Sequence, residues 1–161
     1  MLLSRRRAMK AVLTAAGALA AAALIGTPLI AITAAAEPAV YTGLVKGVAV
    51  GGYDAVAYFT QGRAVAGRPE FSLKHKGADW RFASAANLAA FTQAPEKYEP
   101  QYGGYCAYAV ASGSLAKGDP TQWKIVGDKL YLNYSRSVQQ TWEKNPQSYI
   151  GKADTAWPKL R

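Results

Sequence analysis

The sequence predicts a small single α+β domain in which a β-hairpin followed by a short helix occurs twice, after an N-terminal signal segment. Three observations predict it. Apolar and polar residues alternate on both sides of two glycine turns, and helical spacing follows each turn. A basic and then apolar stretch opens the chain. With 161 residues, 50% of them hydrophobic and 18% charged, the chain has room for one such domain.

The first element is an export signal over residues 1–36, with the domain at residues 37–161. Four basic residues in the segment 4–10 precede an alanine-rich apolar run that ends near residue 32, and residues 34–36 are small enough for signal cleavage. The arginine pair resembles the bacterial twin-arginine motif, so we expect export to the periplasm or cell exterior. An uncleaved membrane anchor is the alternative, because the run is long enough to span a bilayer.

Charge gives little support to a nucleic-acid role. Without the four basic residues of the signal, the formal net charge of +9 falls by four to +5. The remaining basic residues are scattered among ten acids, which indicates a solvated surface, with weak attraction to anionic lipids or acidic partners as the alternative. We expect no nucleic-acid partner, and membrane contact only through an uncleaved signal segment.

Two short extended segments are expected to open the domain. Residues 45–50 and 55–60 are rich in β-branched and aromatic side chains, and the glycine pair Gly51-Gly52 lies between them. Because glycine tolerates positive φ angles, the pair predicts a tight bend between two strands.

Two β-hairpins are expected next. Apolar residues alternate with polar ones on both sides of a turn at residues 76–79, and the pattern returns around Gly127-Asp128. The apolar faces are Phe71, Leu73, Trp80 and Phe82 in the first hairpin, and Trp123, Ile125, Leu130, Leu132 and Tyr134 in the second.

A helix is expected after each hairpin. A serine N-cap followed by apolar residues at helical spacing predicts helices over residues 85–93 and from about residue 136 to residue 144. A proline then ends each helix, and the tail is expected to add one more helical turn near Tyr149. The capping residues are Ser84 and either Ser135 or Ser137, and the prolines are Pro95 and Pro146.

Residues 71–98 resemble the YHS domain. They combine an extended piece, a glycine turn, the stretch Trp-Arg-Phe-Ala-Ser, a helix with Phe91 and the sequence Pro-Glu-Lys-Tyr. With "GYDAVAYF" and "PQYGGYCAYAV" added, nearly all of residues 37–161 look like the exported YHS-domain proteins of bacteria. The resemblance implies a treble-clef-like fold and a link to cysteine-based metal binding.

The chain departs from the YHS pattern at the metal-ligand positions. Ala83 stands between Phe82 and Ser84, where the family typically has a cysteine, and Asn87 replaces the next cysteine. Cys106 remains. In some exported relatives the matching position is reported as selenocysteine, which implies that sulfur or selenium chemistry is useful there.

Cys106 is the only cysteine, so it cannot form an internal disulfide. It is a buried inert residue, a redox thiol or a ligand contact. Residues 51–55 and 103–107 share four of five positions, with Asp54 in the place of Cys106. Chance similarity is one explanation. The other is that the two bends meet, which predicts a ligand site of Cys106, Asp54, Tyr53, Tyr58, Tyr105 and Tyr108.

Metal binding would have few ligands to draw on. Residues 37–161 contain one cysteine, one histidine and no methionine, which excludes a four-ligand soft site within one chain. A weak or dimer-bridged site for a transition metal ion would use Cys106, Asp54 and His75. The alternative for His75 is an exposed turn residue between two lysines, whose charges oppose cation binding.

The sequence therefore favours an exported accessory or binding domain over an enzyme. Its pocket around Cys106 would hold a metal ion, a small ligand or a periplasmic partner protein. The alternatives are a thiol-dependent redox enzyme that uses Cys106 and a structural interaction domain with an inert buried thiol. No phosphate-binding loop or hydrolase signature occurs in the sequence.

Overall fold

Two antiparallel β-hairpins organise residues 37–161, the part of the chain that the computed structural model describes. Both expected hairpins are confirmed, and each forms a separate two-stranded sheet with a bulge near its open end. The first pairs β1 (Arg68–His75) with β2 (Ala78–Phe82), and the second pairs β3 (Asp119–Val126) with β4 (Lys129–Asn133).

The helix expected after each hairpin is also confirmed. These are α2 (Ala85–Gln93) and α5 (Arg136–Glu143). Ser84 and Ser135 cap them, since each serine oxygen accepts a hydrogen bond from a backbone N–H in the first helical turn. The other helices are α1 (Ala57–Thr60), α3 (Pro95–Tyr98), α4 (Ala107–Ala111) and α6 (Pro146–Ala156), with 3-10 turns at Ala49–Gly52, Gln101–Gly104 and Trp157–Lys159.

The domain repeats one structural plan. A glycine bend, a short helix, a bulged hairpin and a capped helix follow one another in residues 49–98, and again in residues 101–156. The φ angles of residues 50–52 are 52°, 59° and 87°, and those of residues 102–104 are 55°, 62° and 84°. The sequence similarity of the two glycine bends therefore reflects equivalent positions in two similar halves.

The buried apolar residues form two clusters, one centred on each half. In the first, Trp80 of β2 packs against Phe91 of α2 with ring centroids 4.8 Å apart. In the second, Tyr131 of β4 packs against Trp142 of α5 at 5.4 Å. The same strand and helix positions thus supply an aromatic pair in both halves, which contributes apolar burial and ring packing.

The prediction of two extended segments at residues 45–50 and 55–60 is wrong. The first makes isolated bridges and enters a 3-10 turn, and the second becomes α1. The cause is local: the Asp54 carboxylate accepts hydrogen bonds from the N–H groups of Val56 and Ala57, and this turn leads into a helix. The β-branched pattern in the sequence did not reveal these two hydrogen bonds.

The tail also differs from expectation, because α6 extends over 11 residues where one helical turn was predicted. Asn145 caps α6 by accepting a hydrogen bond from the Ser148 N–H at 3.2 Å. Pro146 occupies the first turn, where its missing N–H costs nothing. The proline that follows α5 therefore also begins the next helix.

The export signal expected over residues 1–36 lies outside the described residues. Within residues 37–161, no helix combines the length and the apolar character needed to cross a membrane.

Gly103, in the second bend, packs directly on the first residues of the domain. Its carbonyl oxygen accepts a hydrogen bond from the Tyr41 N–H at 2.9 Å. A Cβ atom at this position would clash with the backbone oxygen of Ala39. At the equivalent Gly51, a Cβ atom would first meet the flexible side chain of Leu44 at 3.1 Å.

Gly103→Ala is therefore expected to destabilise the domain more than Gly51→Ala. Both residues have positive φ, so a strain of about 1 kcal/mol is common to the two variants. The backbone clash affects Gly103→Ala alone and raises its total loss to about 3 kcal/mol. Urea denaturation measures both losses. Equal losses would contradict the packing described for Gly103.

Candidate functional site

Asp54 has a fully buried carboxylate that accepts four hydrogen bonds. Oδ1 accepts from the N–H groups of Val56 at 2.9 Å and Ala57 at 3.3 Å. Oδ2 accepts from the N–H of Ala83 at 2.8 Å and from the side-chain amide of Asn87 at 2.7 Å. These bonds tie the first glycine bend to the junction between β2 and α2, so Asp54 has a structural role.

Two of these partners occupy positions where the YHS pattern has cysteines. Ala83 donates its backbone N–H and Asn87 donates its amide, and both bond the same oxygen of Asp54. A hydrogen-bonded carboxylate therefore holds the first half together at the place where the resemblance would have put metal ligands.

Cys106 has the position equivalent to Asp54 in the second half and is 1% exposed. Its N–H donates to the Ala116 carbonyl at 3.0 Å, as the Asp54 N–H donates to the Val65 carbonyl at 2.8 Å. Its thiol lies 4.0 Å from Oδ1 of Asn133, a weak donor contact. The structure thus places the thiol beneath the surface, with a buried amide beside it.

The four candidate tyrosines divide between the two apolar clusters. Tyr53 and Tyr58 pack with the first cluster, whereas Tyr105 and Tyr108 pack with the second. The hydrogen bonds of Asp54 and Cys106 likewise stay within their own halves. A ligand site shared by all six side chains stays a prediction from the sequence.

The buried tyrosines are neutral hydrogen-bond donors. Burial raises the pKa of Tyr58 far above its ordinary value, and its hydroxyl donates to the Pro120 carbonyl at 2.8 Å. Burial, with a hydrogen bond to Asp154, also raises the pKa of Tyr102. Burial likewise raises the pKa of Tyr105. At neutral pH these hydroxyl groups carry their protons and do not offer phenolate ligands.

His75 is half-buried, not the exposed turn residue of the alternative hypothesis. Nε2 lies 2.8 Å from Oε1 of Glu99, and the other carboxylate oxygen of Glu99 accepts from Lys76 at 2.8 Å. The imidazole ring also meets Phe91 edge-on, with centroids 5.6 Å apart. The negative charge beside His75 and Lys76 is that of Glu99, at the end of α3. Because Glu99 lies 24 residues after His75, the local sequence did not show this contact.

The described portion of the chain contains no group of three His, Cys, Asp or Glu side chains placed to hold a metal ion. The three expected ligands have separate partners: Cys106 contacts Asn133, His75 bonds Glu99, and Asp54 bonds its own half. Metal binding by these residues stays a prediction from the sequence, and no conclusion below uses it.

An open cleft with a volume of about 300 Å³ lies beside the second glycine bend, immediately before Cys106 in sequence. Its charged residues are Lys76, Glu96, Glu99 and Arg161, and the Arg161 guanidinium lies 5.3 Å from the centre of the Trp157 ring. The sequence held no signal for this cleft, because its walls come from distant segments. The remaining lining residues are Ala39, Pro100, Gln101, Tyr102 and Gly103.

A second open cleft, of about 330 Å³, lies between β3 and α5. Its lining is polar, without an aromatic side chain, and comprises Thr121, Gln122, Arg136, Gln139, Gln140 and Glu143. It serves below as a control surface.

No protein-family model, curated protein or solved structure matches this chain. The fold defines an α+β domain of two similar hairpin and helix halves, and the YHS resemblance stays an expectation from the sequence.

Asp54→Asn is expected to cost at least about 2 kcal/mol of stability, although the two side chains have nearly the same shape. One oxygen becomes an NH₂ group that faces existing donors, so at least one backbone N–H, that of Val56 or that of Ala83, loses its acceptor. Asp79→Asn, on an exposed carboxylate, is the matched control. Chemical denaturation that gives both variants the same small loss would exclude the proposed structural role of Asp54.

Tyr58→Phe is expected to lower stability by about 1 kcal/mol at neutral pH, because the bond to Pro120 is lost. In the unfolded chain Tyr58 ionises near pH 10, whereas the folded chain keeps its proton to higher pH. Above about pH 10 the folded state therefore binds more protons than the unfolded state, and the stability contributed by Tyr58 falls as pH rises.

The difference in stability between wild type and Tyr58→Phe should accordingly narrow above about pH 10. Urea denaturation at several alkaline pH values measures it. Tyr134→Phe, at an exposed tyrosine, is the control variant. A difference that stays constant with pH would contradict the assignment.

Proposed function

We propose that residues 37–161 are an exported, non-catalytic binding domain that holds a small charged ligand in the cleft beside the second glycine bend. The cleft is the observation that carries the proposal, because it brings cations, anions and an aromatic wall around a volume of about 300 Å³. Concave sites with a few convergent polar groups are typical of small-ligand binding.

The charges of the cleft indicate the class of ligand. Glu99 is already engaged, since its two oxygens bond His75 and Lys76. Glu96 and Arg161 take part in none of the ion pairs formed within residues 37–161. They leave one anion and one cation for a ligand that carries both charges, such as a free amino acid.

The aromatic wall adds to this chemistry. Trp157 lines the cleft, and the guanidinium of Arg161 lies over its ring. An arginine positioned in this way packs one face of its guanidinium group on the ring. The N–H donors at the edge of the group stay available to a carboxylate. We infer that Arg161 receives the ligand carboxylate and Glu96 its ammonium group.

A thiol-dependent redox enzyme has less support. A catalytic thiol must contact its substrate in every turnover, and Cys106 is 1% exposed. A purely structural domain accounts for the buried thiol but gives no role to the charged cleft. Export, by the twin-arginine-type signal expected at residues 1–36, would place the cleft in the periplasm, where small solutes or a periplasmic protein would meet it.

The test is a titration with a panel of free amino acids, followed by NMR through the indole N–H of Trp157. Glycine and glutamate supply zwitterions, and acetate and ethylammonium supply each charge alone. We expect shifts only with the zwitterions. Arg161→Gln and Glu96→Gln should each weaken binding about fivefold, the effect of one partly exposed ion pair of about 1 kcal/mol.

Arg136→Gln, in the second cleft, is the matched control and should leave binding unchanged. If none of the amino acids shifts the Trp157 resonance at millimolar concentration, or if Arg136→Gln weakens binding as much as Arg161→Gln, the proposed cleft function is wrong.

A further inference from the structure

We propose that Cys106 is a site of oxidation, and that a buried amide beside it is placed to receive the sulfinate. The proposal concerns a different site from the ligand cleft and does not depend on it. It is carried by two observations: the equivalence of Cys106 with Asp54, and the unpartnered side-chain nitrogen of Asn133.

Cys106 and Asp54 occupy equivalent backbone positions in the two halves. Both follow a bend of left-handed residues, and both have a backbone N–H bonded to the segment before the next hairpin. Cys106 also bridges Leu132 of β4, next to Asn133. The second half therefore has a thiol at the position where the first half has an anion.

Asn133 has an amide nitrogen without a hydrogen-bond partner among residues 37–161, although the side chain is completely buried. Its oxygen faces the thiol of Cys106 at 4.0 Å. The equivalent residue in the first hairpin is Phe82, since Arg68 pairs with Phe82 as Asp119 pairs with Asn133. The second hairpin thus has a polar side chain where the first hairpin has a core aromatic residue. A buried donor without a partner costs about 1–3 kcal/mol of stability.

A sulfinate at position 106 would supply hydrogen-bond acceptors for that nitrogen. It carries two oxygens on sulfur, as a carboxylate carries two on carbon, and it accepts hydrogen bonds. A half-turn of the Asn133 amide presents its NH₂ group to those oxygens. The first half shows the same pairing, because the amide of Asn87 donates to the Asp54 carboxylate at 2.7 Å.

The side chain of Cys106 makes no hydrogen bond to the start of α4 in the thiol form, so the thiol has no strong hydrogen-bond partner that oxidation would break.

The oxidant is hydrogen peroxide, which is small and uncharged enough to reach a buried thiol during local opening. In the first step the sulfur attacks the O–O bond, an S–O bond forms, and hydroxide leaves with the thiol proton as water, giving Cys–SOH. A second peroxide repeats the step and gives Cys–SO₂⁻, one water and one proton. Two peroxide molecules are reduced to water, and the sulfur loses four electrons.

The first test treats the full chain with hydrogen peroxide at neutral pH and follows its intact mass. We expect Cys106 to gain two oxygen atoms and to stop there. Asn133→Leu keeps the size of the side chain and should slow sulfinate formation about tenfold. The rate of Cys106 alkylation by iodoacetamide is measured in both proteins, and each oxidation rate is divided by it to correct for access to the thiol. Oxidation that proceeds only in denaturant, or at the same corrected rate in Asn133→Leu, would overturn the proposal.

The second test replaces Cys106 with aspartate as a sulfinate mimic. We expect Cys106→Asp to fold and to be at least as stable as Cys106→Ala, because the donors around the thiol accept an anion. Adding Asn133→Leu should lower the melting temperature more in Cys106→Asp than in Cys106→Ala. A Cys106→Asp variant that is unfolded, or equal losses in both backgrounds, would overturn the proposal.

The experiments distinguish a wrong assignment of the oxidation site from a wrong assignment of the ligand cleft. Arg161→Gln should leave the oxidation rate unchanged, and Cys106→Ala should leave the amino-acid titration unchanged. A sulfinate without amino-acid binding would overturn the cleft alone, and the reverse outcome would overturn the oxidation site alone.

Discussion

The buried carboxylate of Asp54 is the interaction on which the first half of the domain depends. It joins a backbone bend, the start of a helix and the end of a strand through four hydrogen bonds within one small volume. A buried anion is costly unless every acceptor position is used, and here the donors come from segments brought together by folding. The bend, α1 and the β2–α2 junction therefore form together.

The sequence revealed the elements whose signals are local. Alternation around Lys76-Gly77 and Gly127-Asp128 predicted the hairpins, and serine caps predicted the helices that follow. The prediction failed at residues 55–60, where the β-branched pattern was outweighed by two hydrogen bonds that the Asp54 carboxylate accepts from backbone N–H groups. An aspartate before a short apolar stretch is typical of a turn, so the sequence did hold a signal for these bonds.

The site was harder to predict because its chemistry depends on distant residues. Cys106 stood out in the sequence as the only cysteine, but its neighbour Asn133 lies at the end of β4, a strand whose sequence indicated only core packing. The cleft collects Lys76, Glu99 and Trp157 from three separated segments, and no spacing in the sequence links them. The sequence shows that residues 51–55 resemble residues 103–107. Only the repeated backbone shows that Asp54 and Cys106 occupy equivalent positions.

The second hairpin also completes the core of the first half. Leu130 and Leu132 belong to the first apolar cluster, and the Tyr58 hydroxyl bonds the carbonyl of Pro120 at the start of β3. The first half therefore lacks part of its own interior. Although the structural plan is repeated, the first half shares its core with the second hairpin and has no complete core of its own. The repeated plan thus gives equivalent positions different chemistry, Asp54 in one half and Cys106 in the other, while the stability of the first half stays tied to the second hairpin.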